Sequence, residues 1–173
     1  MNDKFLTVYA VLDDNTQKEL ARIQGEIKKL GLVGSQTEMP FHISLGSFPT
    51  DKESELIDRI QDVCQKISSF EITLNSISSF GTRVLFVEPE INQNLLNLRK
   101  IFNNDVNNFN WHAHITLFID DLGGQFEKAK AVAENLFKLK VKAKIERICM
   151  GEFFPKRDII EENLSKDYYE QKF

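Results

Sequence analysis

Cysteine is almost missing from this chain. Cys64 and Cys149 are the only two in 173 residues, too isolated for a metal-binding spacing and too few for a disulfide framework. Reduced thiols in a cytoplasmic protein are therefore expected. An excess of one charge is lacking too. The 22 Lys and Arg stand against 26 Asp and Glu, a net charge of −4. No basic field exists to hold long nucleic acid, so DNA is not an expected partner, and an RNA-like substrate should be small or engaged at one end. Long apolar runs are also absent. The N-terminal one, Phe5 to Leu12, closes at Asp13-Asp14 and is too short for a signal peptide or a membrane span, so no membrane partner is expected. Proline and glycine are few, 4 and 8, as in an ordinary globular chain. Phenylalanine is the exception at 14 residues, read as core. The length suits one well-buried domain or two small lobes sharing a core, and a monomer is expected.

Histidine is scarce as well, three in all, yet two of the three open the same tetrapeptide. His42-Ile43-Ser44-Leu45 and His114-Ile115-Thr116-Leu117 each lie in an alternating run that reads as a β-strand. On a strand, residues i and i+2 share a face, roughly 7 Å apart. Each copy thus offers an imidazole and a hydroxyl on one side and two aliphatic residues on the other. At average residue usage a given His opens such a tetrapeptide roughly once in a thousand.

Along the chain, residues 4–12 read as a strand. Asp13, Asp14 or Asn15 then caps a helix carrying Leu20, Ile23, Ile27 and Leu30, stopped by Gly31. A loop over 31–40 leads into the first motif strand. Thr50 or Asp51 caps a second helix with Leu56, Ile60, Val63 and Ile67 on one stripe. A strand at 70–80 turns at Gly81-Thr82 into another at 83–88, a hairpin. Pro89 opens a helix to about residue 104, and an Asn-rich loop leads into the second motif strand. A further helix begins after Gly123-Gly124, and a strand spans about 139–150. The charged segment 156–173 is expected to be a tail or surface helix.

The two motif histidines lie 72 positions apart, and the same offset aligns residues 51–81 with 123–153. Each half reads strand, helix, motif strand, helix, strand. The expectation is an α+β fold of one domain over 1–155. Its two pseudo-symmetric lobes would come from an internal duplication (units about 4–81 and 83–153), with antiparallel sheets facing a central cleft and helices outside. Such symmetry would put His42 and His114 on opposite walls.

Two opposed pairs of this kind suit in-line displacement at phosphorus. Imidazole titrates near neutrality, so one ring can take a proton from the attacking oxygen while the other gives one to the leaving oxygen. Ser44 and Thr116 would hydrogen-bond the non-bridging phosphoryl oxygens. No metal or cofactor is needed.

The doubled motif resembles the paired His-x-[Ser/Thr]-hydrophobic signature of the two-histidine (2H) phosphoesterase superfamily, which includes 2′-5′ RNA ligase-like proteins and 2′,3′-cyclic nucleotide phosphodiesterases. The resemblance covers about residues 4–153. It implies a two-lobed fold with one motif from each lobe lining the cleft, His42 and His114 as acid and base, and Ser44 and Thr116 as phosphate ligands. The implied substrate is a nucleotide or RNA terminus carrying a 2′,3′-cyclic or 2′-5′ linked phosphodiester. Many relatives carry Pro before the second histidine; this chain has Ala113. Two alternatives stand beside this reading. His42, His112 and His114 could form a zinc site of a metal-dependent hydrolase, or the fold could bind nucleotides or RNA without turnover. His112 and Arg83 are secondary candidates for contacting substrate. Phe48, Trp111, Phe118 and Phe154 could stack on a base, though core packing is the safer reading of each.

Overall fold

Alternating runs and helical stripes resolve into the expected element types in the computed structural model, which describes residues 4–32, 39–104, 106 and 110–166. The part of the expected loop at 33–38 lies outside these. In chain order the elements are β1 (Phe5–Leu12), α1 (Asp14–Lys29), β2 (His42–Pro49), α2 (Glu53–Lys66), β3 (Phe70–Phe80), β4 (Val84–Pro89), α3 (Gln93–Ile101), β5 (Ile115–Ile119), α4 (Phe126–Leu136), β6 (Val141–Phe153) and β7 (Arg157–Asn163).

Local chemistry fixes the helix ends. Asp13 is the cap of α1: its carboxylate accepts the Thr16 N–H at 2.9 Å and the Thr16 hydroxyl at 2.7 Å. Thr50 and Asp51 do not cap α2; they begin a 3₁₀ turn, Thr50–Lys52, that runs straight into the helix. Pro89 ends β4 rather than opening α3, and Asn92 caps that helix by accepting the Leu95 N–H at 3.0 Å. A proline has no N–H to spare for a ladder but tolerates a strand end, and the Asn side chain then sets where the helix starts.

All strand pairings are antiparallel, in the order β2-β1-β6-β3-β4-β5, with β7 added on β6. The order is a palindrome under the repeat. Exchanging β1 with β4, β2 with β5 and β3 with β6 leaves it unchanged. The middle pair, Phe70–Leu74 against Val141–Ile145, therefore marks the pseudo-twofold. Each half sends its third strand into the other half's sheet: β6 pairs with β1, and β3 with β4. The two sheets expected from sequence are thus two halves of one continuous sheet, and β2 and β5 at its ends come back into contact.

One face of the sheet carries the main core. Leu6, Val8, Ala10 and Leu12 of β1 pack there with Leu20, Ile23 and Ile27 of α1, Leu56 and Ile60 of α2, Leu95 and Leu98 of α3, and Ala129 and Ala133 of α4. Each large aliphatic residue so buried stabilises the fold by roughly 1.5–3 kcal/mol. On the other face of β1, Tyr9 and Val11 join Cys149 in a separate small cluster. Among the described residues no helix is long and apolar enough to cross a membrane.

Segment 156–173 corrects an expectation. Within it, Arg157–Asn163 forms strand β7, laid along Arg147–Glu152 of β6. The long strand β6 has a free edge beyond its pairing with β3, and Arg157–Asn163 adds a strand to it rather than a helix. Residues 167–173 lie outside the described residues.

Candidate active site

The two tetrapeptides deviate from a regular ladder at the same place. In β2 the register passes from Val8↔Gly46 to Tyr9↔Ser44, leaving Leu45 as an extra residue. In β5 it passes from Leu85↔Phe118 to Phe86↔Thr116, leaving Leu117 extra. A bulge bends its strand and re-aims the neighbouring side chains, here the hydroxyl one position earlier. It also takes the extra residue's carbonyl out of the ladder, and a buried carbonyl needs a partner. Both partners come from the opposite half. Arg99 of α3 donates to the Leu45 carbonyl, and Gln24 of α1 donates to the Leu117 carbonyl at 3.0 Å. Trp111 adds a third crossing, its indole N–H donating to the Ser44 carbonyl at 2.9 Å. The Arg99 guanidinium lies over its ring, 5.4 Å from the centroid. Each motif is therefore braced by the half it does not belong to.

The histidines match as closely. His42 Nδ1 lies 2.8 Å from the Pro40 carbonyl oxygen, and His114 Nδ1 lies 2.7 Å from that of His112. His42 opens β2, whereas His114 lies just before β5 rather than inside it. Ser44 and Thr116 are half-buried between fully buried aliphatic neighbours. Neither hydroxyl has a hydrogen-bond partner among the described residues.

Burial lowers the pKa of His42 to about 4; the carbonyl of Pro40 opposes the shift, and His114 and Lys156 add to it. Burial also lowers that of His114, with the His112 carbonyl opposing and the His112 ring adding. The strands beside the two rings, β2 and β5, come into contact at the ends of the sheet.

Aromatic rings flank both. Tyr9, beside Ser44 on β1, has its ring 4.8 Å from that of His42. Phe86, in the equivalent place beside Thr116, is 5.4 Å from His114. Phe80 is 5.0 Å from His114 and 5.4 Å from His112, edge-on to both.

The secondary candidates divide. His112 is exposed at the rim, with Nε2 3.3 Å from Glu88. Arg83 is exposed at the hairpin tip and turns to Asp121, 4.0 Å away. Phe48 and Phe118 are core residues, Phe154 packs edge-on to Phe5 at 5.8 Å, and Trp111 braces the motif. Sequence reading missed Tyr9, Phe80, Phe86, Glu88 and Lys156. Tyr9 was open to discovery, because alternation on β1 separates Thr7, Tyr9 and Val11 from the core face. Lys156 was not, since it reaches the site through a turn between β6 and an unforeseen strand. The three-histidine zinc alternative finds no cluster: among the described residues no group of three or more His, Cys, Asp or Glu is placed to hold a metal ion.

Comparisons with known proteins agree with this fold. The chain is similar in fold to the crystal structure of TT0787 of Thermus thermophilus, with a TM-score of 0.67 at 12% identity, over 95% of this chain and 100% of that one. It is similar to E. coli LigT in apo form, TM-score 0.63 at 14% identity over 94% and 98% of the two chains. It is also similar to E. coli LigT complexed with 3′-AMP, TM-score 0.63 at 13% identity over 94% and 99%. No curated protein sequence matches. The family model of the 2′-5′ RNA ligase superfamily matches residues 12–152, most of the chain and both tetrapeptides, and the chain belongs to that superfamily.

Proposed function

We propose that the protein is a metal-independent phosphoesterase acting on a 2′,3′-cyclic phosphate or a 2′-5′ linked nucleotide or RNA end, with His42 and His114 as the acid–base pair. The observation that carries the reading is the matched wiring of the two histidines. A carbonyl oxygen only accepts, so each Nδ1 bears the hydrogen and each Nε2 is left to exchange a proton. Burial favours the neutral form of both rings before a substrate binds. A phosphodiester anion between them raises their pKa values and brings one proton into the pair.

One Nε2 then takes a proton from the attacking water as its oxygen bonds to phosphorus. The other gives its proton to the ribose oxygen as the P–O bond breaks, leaving a monoester. Ser44 and Thr116, with hydroxyls unengaged by the described residues, donate to the non-bridging oxygens where charge grows. That E. coli LigT has been crystallised with 3′-AMP supports a nucleotide as the ligand class. The test is hydrolysis of 2′,3′-cyclic nucleotides and 2′-5′ linked dinucleotides by the parent, His42→Ala and His114→Ala. Parent turnover with loss in both variants is expected; parent-level turnover in either variant overturns the assignment.

A further inference from the structure

The pseudo-symmetry breaks at one pair of rings. Tyr9 and Phe86 hold equivalent places, each against its motif histidine, but only Tyr9 carries a hydroxyl. Phe86 is closed in by Phe80, 4.4 Å away, and by His112, so the His114 side is walled by rings. Phe80 itself is 41% exposed, a ring free to take a flat partner. Tyr9 is only 3% exposed, yet its hydroxyl has no hydrogen-bond partner among the described residues. It borders an open cavity of about 250 Å³ whose lining includes Pro40, Lys156, Asp158, Ile160 and Glu161. Pro40 supplies the carbonyl that orients His42, so the cavity begins where the catalytic ring is held.

The cavity is rich in acceptors. Asp158 is steadied by Lys156 at 3.5 Å and Glu161 by Arg147 at 3.2 Å. Each carboxylate has more lone-pair positions than one cation occupies. Two adjacent hydroxyls on a sugar present paired donors, which a carboxylate accepts well, as at the ribose of dinucleotide sites. The volume suits one sugar and not a chain of nucleotides. On the Phe80–Phe86 side the nearby carboxylate, Glu88, is engaged by His112, and a base there has a ring to stack on.

We infer that this cavity beside His42 binds the free vicinal diol of a ribose joined through its 5′ oxygen to the phosphorus at the histidine pair. The second nucleoside of a linear diester then lies on the His42 side, and the base of the first lies against Phe80. This rests on the reading of the histidine pair as the phosphodiester site.

The test measures binding without turnover. Calorimetry on His114→Ala protein compares a 2′-5′ linked diadenosine monophosphate with the analogue whose second nucleoside is 2′,3′-dideoxy. The dideoxy ligand should bind about tenfold more weakly, the scale of hydrogen bonds to a charged group. Tyr9→Phe, which keeps the ring on His42, and Glu161→Gln should each shrink that ratio. Equal affinity for the two ligands, no binding of either, or a ratio untouched by both variants overturns the inference. Failure of catalysis is read separately, from hydrolysis of 2′,3′-cyclic nucleotides by the parent, which have no second nucleoside to place.

Discussion

An imidazole whose Nδ1 faces a carbonyl oxygen has its tautomer chosen before substrate arrives, and here two carbonyls do so for two rings. Replacing His42 or His114 by Ala should cost about 10²–10⁴ in turnover, the range of general acid–base catalysis. In the parent, kcat against pH should be bell-shaped, with one limb lost in each single variant. If the substrate anion lies between the rings as proposed, it raises both imidazole pKa values, and the kcat optimum should lie at higher pH than that of kcat/KM, which reports the free enzyme. Coincident optima would mean the anion does not lie between the rings. Ser44→Ala and Thr116→Val should lower the rate and keep both limbs, since hydroxyls do not titrate in this range. Stability carries a second signature. His42 is lowered to about 4 in the fold, chiefly by burial, whereas an unfolded chain takes up that proton near pH 6.5. Between those values the unfolded state binds more protons, so stability contributed by neutral His42 is full above about 6.5 and is lost as pH falls toward 4. The urea midpoint should therefore fall less steeply over that window in His42→Gln than in the parent.

The elements that hold the motifs explain why the bulges persist. Leu45 and Leu117 are fully buried, so removing either cross-half donor strands a carbonyl away from water. Arg99→Met and Gln24→Leu should each destabilise the protein by about 1–3 kcal/mol, read as a lower urea midpoint at unchanged slope. Gly46 belongs to the same device. A Cβ there would run into the Phe102 carbonyl oxygen and lie 2.9 Å from that of Asn104, backbone atoms that cannot swing aside. That close approach lets Asn104 accept the Ser47 N–H at 2.8 Å and donate its side-chain amide to the Ser47 carbonyl at 2.9 Å. Gly46→Ala should cost about 1–3 kcal/mol or more by overpacking. Period and repetition made the helices and the motif strands legible in the sequence and singled out the four motif residues as candidates, because alternation and the 72-residue offset are local or additive signals. The bulges, the Gln24 and Arg99 braces and the ring of Tyr9 were not. Each depends on which strands become neighbours, and a strand's own residues do not name its partners. The strand β7 was hidden for the same reason: its short, charged sequence has no strand period of its own and becomes a strand only because β6 offers an open edge.

At the scale of the whole molecule, hydrolysis of a 2′,3′-cyclic nucleotide should persist in excess EDTA, because every proton and charge in the proposed step is handled by the four motif side chains. Loss on chelation with recovery on adding Zn²⁺ would revive the reading of His42, His112 and His114 as metal ligands. The exchange of third strands between halves reaches further back than catalysis. A half on its own, β1 through β3, would hold out a strand whose partner is not in its own chain, and two identical copies would close by lending strands to each other. Such a pair would already bring one histidine from each copy to a shared seam, so the chemistry belongs to the pairing and not to either copy. Joining the two copies in tandem frees each to drift without breaking the seam. Divergence of that kind leaves a phenol on one side and a plain ring on the other, and under the proposed function it would let the site tell the two ends of its substrate apart.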